Sequence, residues 1–203
     1  FRSEHNMKYF RHIPDLPTPD LYPELQRMLE ANSVHWHKDM DQICINSIPG
    51  QEHDIQFGAG SLVLDWDNAY EKYDDNGNCE TVVPKKEIQS KEEDFTELCT
   101  PFAGTAFETV FTELKQKYNI GRVRLFRSQP HMCLSWHKDG QPRIHYPLKT
   151  QDGCYMVIQD EVKHLYARAW WATDTTHKHT AFNGSKESRI HLVANVLDDY
   201  ENL

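Results

Sequence analysis

The stretch HKHTAFNGSKESRIHLV, residues 177–193, decides how this chain folds. Within it His179 precedes Arg189 by ten residues, and β-strand patterns lie on both sides of the turn Asn183-Gly184. Similar short strand patterns, separated by turn residues, fill the chain from residue 122 onward. Because these strands follow a predicted helical region, we expect an α+β chain that is mainly β, with a C-terminal sandwich or barrel.

Seven strands are predicted after Gly121. They are Arg122–Arg127, Met132–Asp139, Arg143–Leu148, Cys154–Gln159, Val162–Ala169, His179–Phe182 and Arg189–Leu197. Taken alone, Asn183-Gly184 predicts a tight hairpin between the last two strands, because this dipeptide is the usual signal for a two-residue hairpin loop.

Two helices are predicted before Gly121. The first comprises residues 18–31, and the prolines near its start suit the opening turn of a helix. Residues 101–118 form the second, and Thr100 suits its start. The apolar residues of the second helix repeat at the spacing of one helical stripe: Phe107, Val110, Phe111, Leu114 and Tyr118.

The remaining N-terminal segments have different character. Residues 42–63 have the apolar pattern and the punctuation of a β-meander. Residues 65–94 are polar and acidic, which predicts a long surface excursion with its clearest turn at residues 74–78. We expect one domain, residues 1–203, in which residues 1–120 buttress a barrel formed by residues 121–198.

Composition restricts the class of protein. The formal net charge is -9, which argues against nucleic-acid binding, since that function usually requires a clustered basic face. Five scattered cysteines form no disulfide framework, so we expect reduced thiols in the cytoplasm. No stretch is long and apolar enough for a membrane helix, and we expect no membrane partner. The oligomeric state is not indicated.

His137 and Asp139 are the first candidate metal ligands. On an extended strand they project from the same face, while Lys138 points away. Together with a second imidazole from a distant strand, they would form the facial triad of two histidines and one carboxylate that is typical of non-haem iron(II). A closed structural zinc site is disfavoured, because such sites fill four positions, often with thiolates.

The order of motifs resembles the aspartyl/asparaginyl β-hydroxylase family of 2-oxoglutarate oxygenases, which includes free-proline hydroxylases. The family pattern is H-x-D or H alone, then R-I-H, then H-x(9)-R. Here these elements are His137 with Asp139, then residues 143–145, then His179 with Arg189. The resemblance covers roughly residues 122–198. Some members lack the carboxylate ligand, but this sequence matches the type that has it.

The resemblance implies a double-stranded β-helix, a cupin-like jelly roll, with supporting N-terminal helices. His137, Asp139 and His179 would bind Fe(II), and Arg189 would bind the 5-carboxylate of 2-oxoglutarate through its planar fork. Arg143 and His145 would help to hold the same co-substrate near the metal. In this fold Asn183-Gly184 would form a corner between two sheets instead of a hairpin.

Several alternatives stay open at this point. Residues 36–39 repeat the Trp-His-Lys-Asp of residues 136–139, although no R-I-H element follows the first copy. His177 and His191 are alternative third ligands, but neither has an arginine ten residues downstream. Four aromatic residues are candidates for a substrate pocket or for the core: Trp136, Trp170, Trp171 and Phe182.

The expected reaction is hydroxylation of a C–H bond in an amino acid, free or within a peptide or protein, with O2 and 2-oxoglutarate consumed. Two rivals use the same fold. One is a metal-dependent isomerase or hydrolase, which would not need Arg189. The other is a binding module without catalytic activity, in which the metal triad would be incidental.

Overall fold

Antiparallel strands make up most of the regular secondary structure in this computed structural model, which describes residues 7–62, 70–73, 76–77, 79–83 and 90–203. The strands in these ranges are β1 Phe10–Ile13, β2 Gln42–Cys44, β3 Asn46–Ser47, β4 Tyr70–Tyr73, β5 Cys79–Val83, β6 Glu97–Leu98, β7 Ile120–Ser128, β8 Met132–Cys133, β9 Arg143–Lys149, β10 Cys154–Ile158, β11 Glu161–Lys163, β12 Trp170–Thr173, β13 His179–Asn183 and β14 Arg189–Val196. The helices are α1 Tyr22–Glu30 and α2 Ala106–Lys117. Within the described residues, neither helix combines the length and the apolar character that crossing a bilayer requires.

Two sheets form the main architecture. The larger has the order β1-β12-β9-β14-β7-β2, and the smaller has the order β11-β10-β13-β8. From β7 onward the chain passes back and forth between them, with β7, β9, β12 and β14 in the larger sheet and the other four strands in the smaller one. This antiparallel topology is a double-stranded β-helix, and the predicted jelly roll is confirmed.

The larger sheet has two chemically different faces, which β14 displays most clearly. Its even-numbered side chains lie in the main hydrophobic core, whereas its odd-numbered side chains point between the two sheets because successive residues of a strand alternate in direction. The core residues are Ile190, Leu192, Ala194 and Val196. Arg189, His191 and Val193 instead line a cavity inside the barrel.

Both helices bury their apolar faces in this main core. Leu25 and Met28 of α1 are buried there, together with the predicted stripe of α2. The segment before α1 is tied to the sheet by side chains of the core. Trp170 Nε1 donates to the Pro17 carbonyl at 2.7 Å, and the stacked Tyr146 donates its hydroxyl to the Pro19 carbonyl at 2.6 Å.

Both helices are shorter than the sequence predicts. The first begins at Tyr22, because the chain before it is extended and held by the hydrogen bonds to the sheet. The second begins after Thr105, whose hydroxyl accepts from the Phe107 amide, and not at Thr100. The separate 3-10 turn Thr100–Phe102 ends before Gly104, whose φ of +74° breaks the helical path.

The predicted β-meander at residues 42–63 is wrong within the described part of that range. β2 pairs with β7 and β3 pairs with β6, while the remaining residues form turns. Ile55 and Leu62 are buried although they lie in irregular chain. The spacing of such buried apolar residues resembles the pattern of a strand. Residue 63 lies outside the described residues.

Two predicted strands of the barrel also differ from the structure. Of the predicted strand 162–169, only residues 162 and 163 are strand, because β11 ends at Lys163 and Arg168 adopts a φ of +56° before β12 begins at Trp170. The predicted strand 132–139 is regular only at its start, in β8. The edge strand β1 carries no strand pattern that sequence analysis identified.

Asn183-Gly184 is a corner, as the family resemblance implied. β13 pairs with β10 and β8 in the smaller sheet, whereas β14 pairs with β7 and β9 in the larger one. The predicted excursion at residues 65–94 contains the hairpin β4–β5 and a 3-10 turn at Glu92–Asp94. Residues 74, 75 and 78 of its predicted turn lie outside the described residues. Residues 63–69 and 84–89 lie outside them as well.

A buried carboxylate joins this excursion to the barrel. Glu92 accepts from the Arg122 guanidinium at 2.7 and 3.0 Å, from the Arg122 amide at 3.0 Å and from Asn195 Nδ2 at 2.6 Å. The contacts with Arg122 outweigh the effect of burial and hold the pKa of Glu92 below its ordinary value. Glu92 therefore anchors residues 90–95 to β7 and β14.

We predict that Glu92→Ala lowers the free energy of unfolding by about 3 kcal/mol, because it leaves the buried Arg122 without a counter-charge. The adjacent Glu93 is solvent-exposed, so Glu93→Ala is the matched control and is expected to stay within about 0.5 kcal/mol of the parent protein. Urea unfolding followed by circular dichroism measures both. Equal midpoints for the two variants would contradict the anchoring role of Glu92.

Candidate metal centre and co-substrate cavity

The structure brings His137, Asp139 and His179 together. One donor atom from each lies within 4.8 Å of the others, and these three residues form the metal-competent group found within the described ranges. His179 Nε2 lies 3.3 Å from Asp139 Oδ2, and His137 Nε2 lies 3.9 Å from Asp139 Oδ1. His179 is buried, whereas the His137 side chain is 36% exposed, so the group lies at the mouth of the barrel.

Backbone carbonyls fix the orientation of both imidazoles. His137 Nδ1 lies 2.7 Å from the Ser135 carbonyl, and His179 Nδ1 lies 2.9 Å from the His177 carbonyl. A carbonyl oxygen only accepts, so each Nδ1 carries the proton and each Nε2 keeps a lone pair. Both lone pairs are thereby available at the common centre, an arrangement that metal-binding histidines use.

A one-residue bulge aims His137 into the barrel. Cys133 pairs with Phe182 on β13, and the Leu134 amide donates to the Ala181 carbonyl at 3.0 Å. His137 then pairs with His179, so the chain from Leu134 to His137 contains one more residue than the segment opposite. Bulges re-aim side chains in this way, and this one also turns the Ser135 carbonyl toward His137.

Asp139 is held by its backbone and by Arg143. Its amide donates to the Thr175 carbonyl at 2.9 Å, and Arg143 lies 2.7 Å from Oδ1. Burial opposes ionisation of Asp139, but the contact with His179 and the charge of Arg143 outweigh burial and hold the pKa of the carboxyl below its ordinary value. The candidate ligand set is therefore an ionised carboxylate and two imidazole rings.

The residues present fit a divalent metal ion. Asp139 Oδ2 is buried and has no hydrogen-bond partner among the described residues. It faces His179 Nε2, whose own proton is on the other ring nitrogen. Two lone pairs that face each other at 3.3 Å repel unless a cation or a further proton lies between them. Two nitrogens and one carboxylate oxygen suit Fe(II) and leave coordination positions open.

A cavity leads from this centre into the barrel and reaches Arg189. Its walls include His137, His179 and Arg143 at one end and Arg189 at the other. Arg189 is half-buried, and no described carboxylate pairs with its guanidinium. A cation that is partly withdrawn from water and lacks a counter-charge is costly, so this end of the cavity is suited to an anion.

Two neutral histidines lie between the two ends. Burial, together with the charges of Arg143 and Arg189, holds the pKa of His145 well below its ordinary value. Burial and the charge of Arg189 also lower the pKa of His191. The rings of His145 and His191 pack edge to face, with their centroids 5.8 Å apart. Both ring nitrogens of His145 and Nε2 of His191 lack a partner among the described residues, so they are available to a polar ligand.

The alternative ligands identified in the sequence do not converge. His37, in the first Trp-His-Lys-Asp copy, accepts the amides of Asp39 and Met40 at Nδ1 and forms a turn. His177 lies beside Asp174 at 2.9 Å and contributes its backbone carbonyl, not its ring, to His179. His191 lines the cavity away from the metal-competent group.

The four candidate aromatic residues have different environments. Trp170 is fully buried in the main core, and Trp171 is buried in a second core cluster between the sheets. Phe182 is half-buried against Tyr155. Trp136, by contrast, is 53% exposed immediately before His137.

A larger depression of about 500 Å³ lies on another part of the surface, lined by Phe10, His12, Tyr166 and Trp171 among others. It contains none of the residues of the metal-competent group. The smaller cavity is the candidate functional site, because the metal-competent group and the Arg189 guanidinium are there.

Sequence reasoning missed two contributions to the site. The Ser135 carbonyl has no signal in the sequence, because it depends on the bulge and not on a side chain. His191 was considered as a ligand but not as part of the cavity wall. Its position two residues after Arg189 places both on one strand face, which is a usable signal.

Comparison with known proteins supports the resemblance. The profile of a family described as aspartyl/asparaginyl beta-hydroxylase matches residues 66–198, more than half of the chain. None of the curated proteins matches.

Solved structures with some similarity include IDO from Bacillus thuringiensis, with 13% identity over 94% of this chain and 92% of that chain and a TM-score of 0.42. A 2OG-Fe(II) oxygenase family protein from Burkholderia pseudomallei has 16% identity over 49% of this chain and 59% of that chain, with a TM-score of 0.40. A cupin domain from Bordetella pertussis has 14% identity over 38% of this chain and 81% of that chain, with a TM-score of 0.34.

We predict that His179→Ala weakens binding of Mn(II), a redox-stable probe for the site, by about 100-fold or more, since even loss of an outer hydrogen bond costs 10- to 100-fold. His177→Ala is the matched control. It keeps the backbone carbonyl that orients His179, so its affinity should stay within about threefold of the parent protein. Calorimetric titration measures both, and equal losses in the two variants would refute the assignment.

Proposed function

The chain belongs to the aspartyl/asparaginyl β-hydroxylase family, and from this membership we propose that it is an Fe(II)- and 2-oxoglutarate-dependent oxygenase. It would hydroxylate a C–H bond of an amino acid, either free or within a peptide or protein. The observation that carries this proposal is a single cavity with a two-histidine, one-carboxylate group at one end and, at the other, a half-buried arginine that no described carboxylate neutralises.

His137, Asp139 and His179 would hold the iron. Their carbonyl-oriented rings and the carboxylate held by Arg143 are already arranged before binding, which limits the reorganisation that binding requires. When bound, iron with 2-oxoglutarate and O2 supplies the oxidising chemistry.

Arg189 would bind the far carboxylate of 2-oxoglutarate. Its guanidinium has a planar fork that suits a carboxylate, and a dicarboxylate offers one carboxylate for each end of the cavity. Binding would supply the counter-charge that the described residues do not provide. This requirement distinguishes the proposal from an isomerase or hydrolase on the same fold.

Arg143 and His145 would position the near end of the co-substrate. Arg143 contacts Asp139 through one terminal nitrogen, and its Nε has no partner among the described residues. His145 is a neutral imidazole that offers one donor and one acceptor. Apolar walls formed by Met156, Leu165 and Val193 exclude water around these polar groups and strengthen their interactions.

Succinate formation from 2-oxoglutarate with Fe(II) present tests the reaction class. We predict that succinate formation requires both Fe(II) and 2-oxoglutarate. It should fall at least about 100-fold in His179→Ala, because this variant lacks a metal ligand. Activity that persists in this variant without iron would contradict the proposal. Turnover of a substrate without 2-oxoglutarate would favour a metal-dependent isomerase or hydrolase.

Arg189 provides an independent test. We predict that Arg189→Ala raises the KM for 2-oxoglutarate by about 10- to 100-fold, the effect of losing charge-assisted hydrogen bonds. The KM of Arg189→Lys should lie between that of the parent protein and that of Arg189→Ala, because lysine keeps the charge but not the planar fork. The exposed Arg168 serves as control, and Arg168→Ala should leave the KM unchanged. A KM that responds equally to Arg168→Ala would exclude a specific role for Arg189.

A further inference from the structure

The larger surface depression, of about 500 Å³, has no part in the proposed function. It lies at one edge of the larger sheet, where β1 is the last strand and pairs only with β12 among the described strands. His12 of β1 is the register partner of Trp171 of β12, which is in turn the register partner of His145 of β9. These three side chains therefore project from the same face of the sheet, toward the interior of the barrel.

An apolar partition separates the depression from the co-substrate cavity. Phe10 and Trp171 line the depression, whereas Met156 and Leu165 line the cavity, and all four belong to the second core cluster. The two spaces share no lining residue. A ligand in the depression would thus occupy a site distinct from that of Arg189 and the metal-competent group.

Aromatic side chains give the depression the character of a small-molecule site. The buried Phe10 and Trp171 form its base, and the exposed Tyr166 stands beside them with its ring centroid 6.1 Å from that of Trp171. His12 packs edge-on against Trp171 at 5.2 Å. Pockets that hold small molecules are mostly apolar and aromatic and enclose roughly 300 to 1,000 Å³, a range that includes this volume.

The polar groups around these rings favour a hydrogen-bond acceptor. Arg11 and the Trp171 indole carry only N–H donors, and His12 and Tyr166 are able to donate as well. Within the described part of the chain, no carboxylate or amide side chain lines the depression. This local excess of donors occurs in a chain with a formal net charge of -9. An anionic group is the complementary partner for it.

Arg11 is already held in position at the rim. Its guanidinium lies over the Tyr200 ring, 5.1 Å from the centroid, and one terminal nitrogen donates to the Leu203 carbonyl. A guanidinium has five N–H donors in a fixed plane, so this contact orients the group without using all of its donors. Arg11 can therefore bind an anion with little loss of side-chain freedom.

Trp171 contributes a donor that has no partner. The residue is almost fully buried, and its Nε1 makes no hydrogen bond with any described residue. The adjacent Trp170, in contrast, donates its Nε1 to the Pro17 carbonyl. Buried indole N–H groups usually have an acceptor, and an unsatisfied one indicates a missing partner. A ligand oxygen in the depression would provide this acceptor.

From these observations we infer that the depression is a second ligand site, which takes a small molecule with a planar aromatic ring and an anionic oxygen group. The ring packs on Tyr166 above the base formed by Phe10 and Trp171. The anionic group accepts hydrogen bonds from Arg11 and from the Trp171 indole. This inference adds a site to the proposed function and does not depend on it.

Three probes test the two halves of the ligand separately. Naphthalene-2-sulfonate carries both the ring and the anion, naphthalene-2-methanol carries the ring alone, and methanesulfonate carries the anion alone. In calorimetric titration of the whole chain, we expect one equivalent of naphthalene-2-sulfonate to bind at least about tenfold more tightly than either of the others, because charge-assisted hydrogen bonds and ring burial act together. The same affinity is expected with and without Mn(II) and 2-oxoglutarate, since those bind in the other cavity.

Variants locate the binding in the depression. Arg11→Ala should weaken the binding of naphthalene-2-sulfonate about tenfold and leave that of naphthalene-2-methanol unchanged, because only the sulfonate uses the guanidinium. Tyr166→Ala should weaken the binding of both aromatic probes about tenfold. Arg27→Ala is the matched control for the loss of charge, and Trp136→Ala is the control for the loss of an exposed aromatic ring. Both controls should stay within about threefold of the parent protein.

The outcomes are decisive in both directions. Tight binding of naphthalene-2-sulfonate that Arg11→Ala and Tyr166→Ala weaken, but Arg27→Ala and Trp136→Ala do not, would support the site. The inference is overturned if the sulfonate and the alcohol bind equally, if 2-oxoglutarate displaces the sulfonate, if no saturable binding occurs, or if the controls weaken binding as much as the two test variants. Because the titration requires neither iron nor turnover, its failure is distinguishable from a failure to form succinate.

Discussion

The alternation of β14 is the constraint on which the rest of the structure depends. This strand lies in the middle of the larger sheet, between β9 and β7, and neighbouring residues must face opposite sides. Its even positions complete the main core with both helices, while Arg189, His191 and Val193 form one wall of the cavity. A shift of register by one residue would exchange the two sets, so folding and site assembly are fixed by the same pairing.

This two-faced sheet explains how the protein tolerates a polar interior. The described cavity region contains unpartnered polar atoms on Asp139, Arg143, His145 and His191, each of which is unfavourable in a dry environment. Stability comes from the opposite face, where aromatic and aliphatic side chains pack against α1 and α2. Because the two faces belong to different strand positions, the unsatisfied groups can be kept for ligands without weakening the main core.

Sequence analysis succeeded where a feature is local in the chain. The α2 stripe, the strands on either side of Asn183-Gly184 and the spacing from His179 to Arg189 are all readable from neighbouring residues. It failed where partners are distant. Trp170–Thr173 is buried on both faces and shows no alternation, so β12 was not identified, and residues 42–63 supplied apolar side chains to the core from turns. The fold class was therefore readable, and the edges of the sheets were not.

The bulge before His137 shows why a correct choice of residues can rest on incomplete geometry. Sequence reasoning placed His137 and Asp139 on one regular strand, but regular pairing ends at Cys133 and resumes only as the single bridge to His179. An unbroken continuation from Leu134 would direct His137 to the outer face, because three positions separate them. The extra residue corrects the direction and brings the Ser135 carbonyl to Nδ1. It also leaves Trp136 outside the ladder, so one local irregularity both aims a candidate ligand inward and exposes an apolar side chain at the mouth of the barrel.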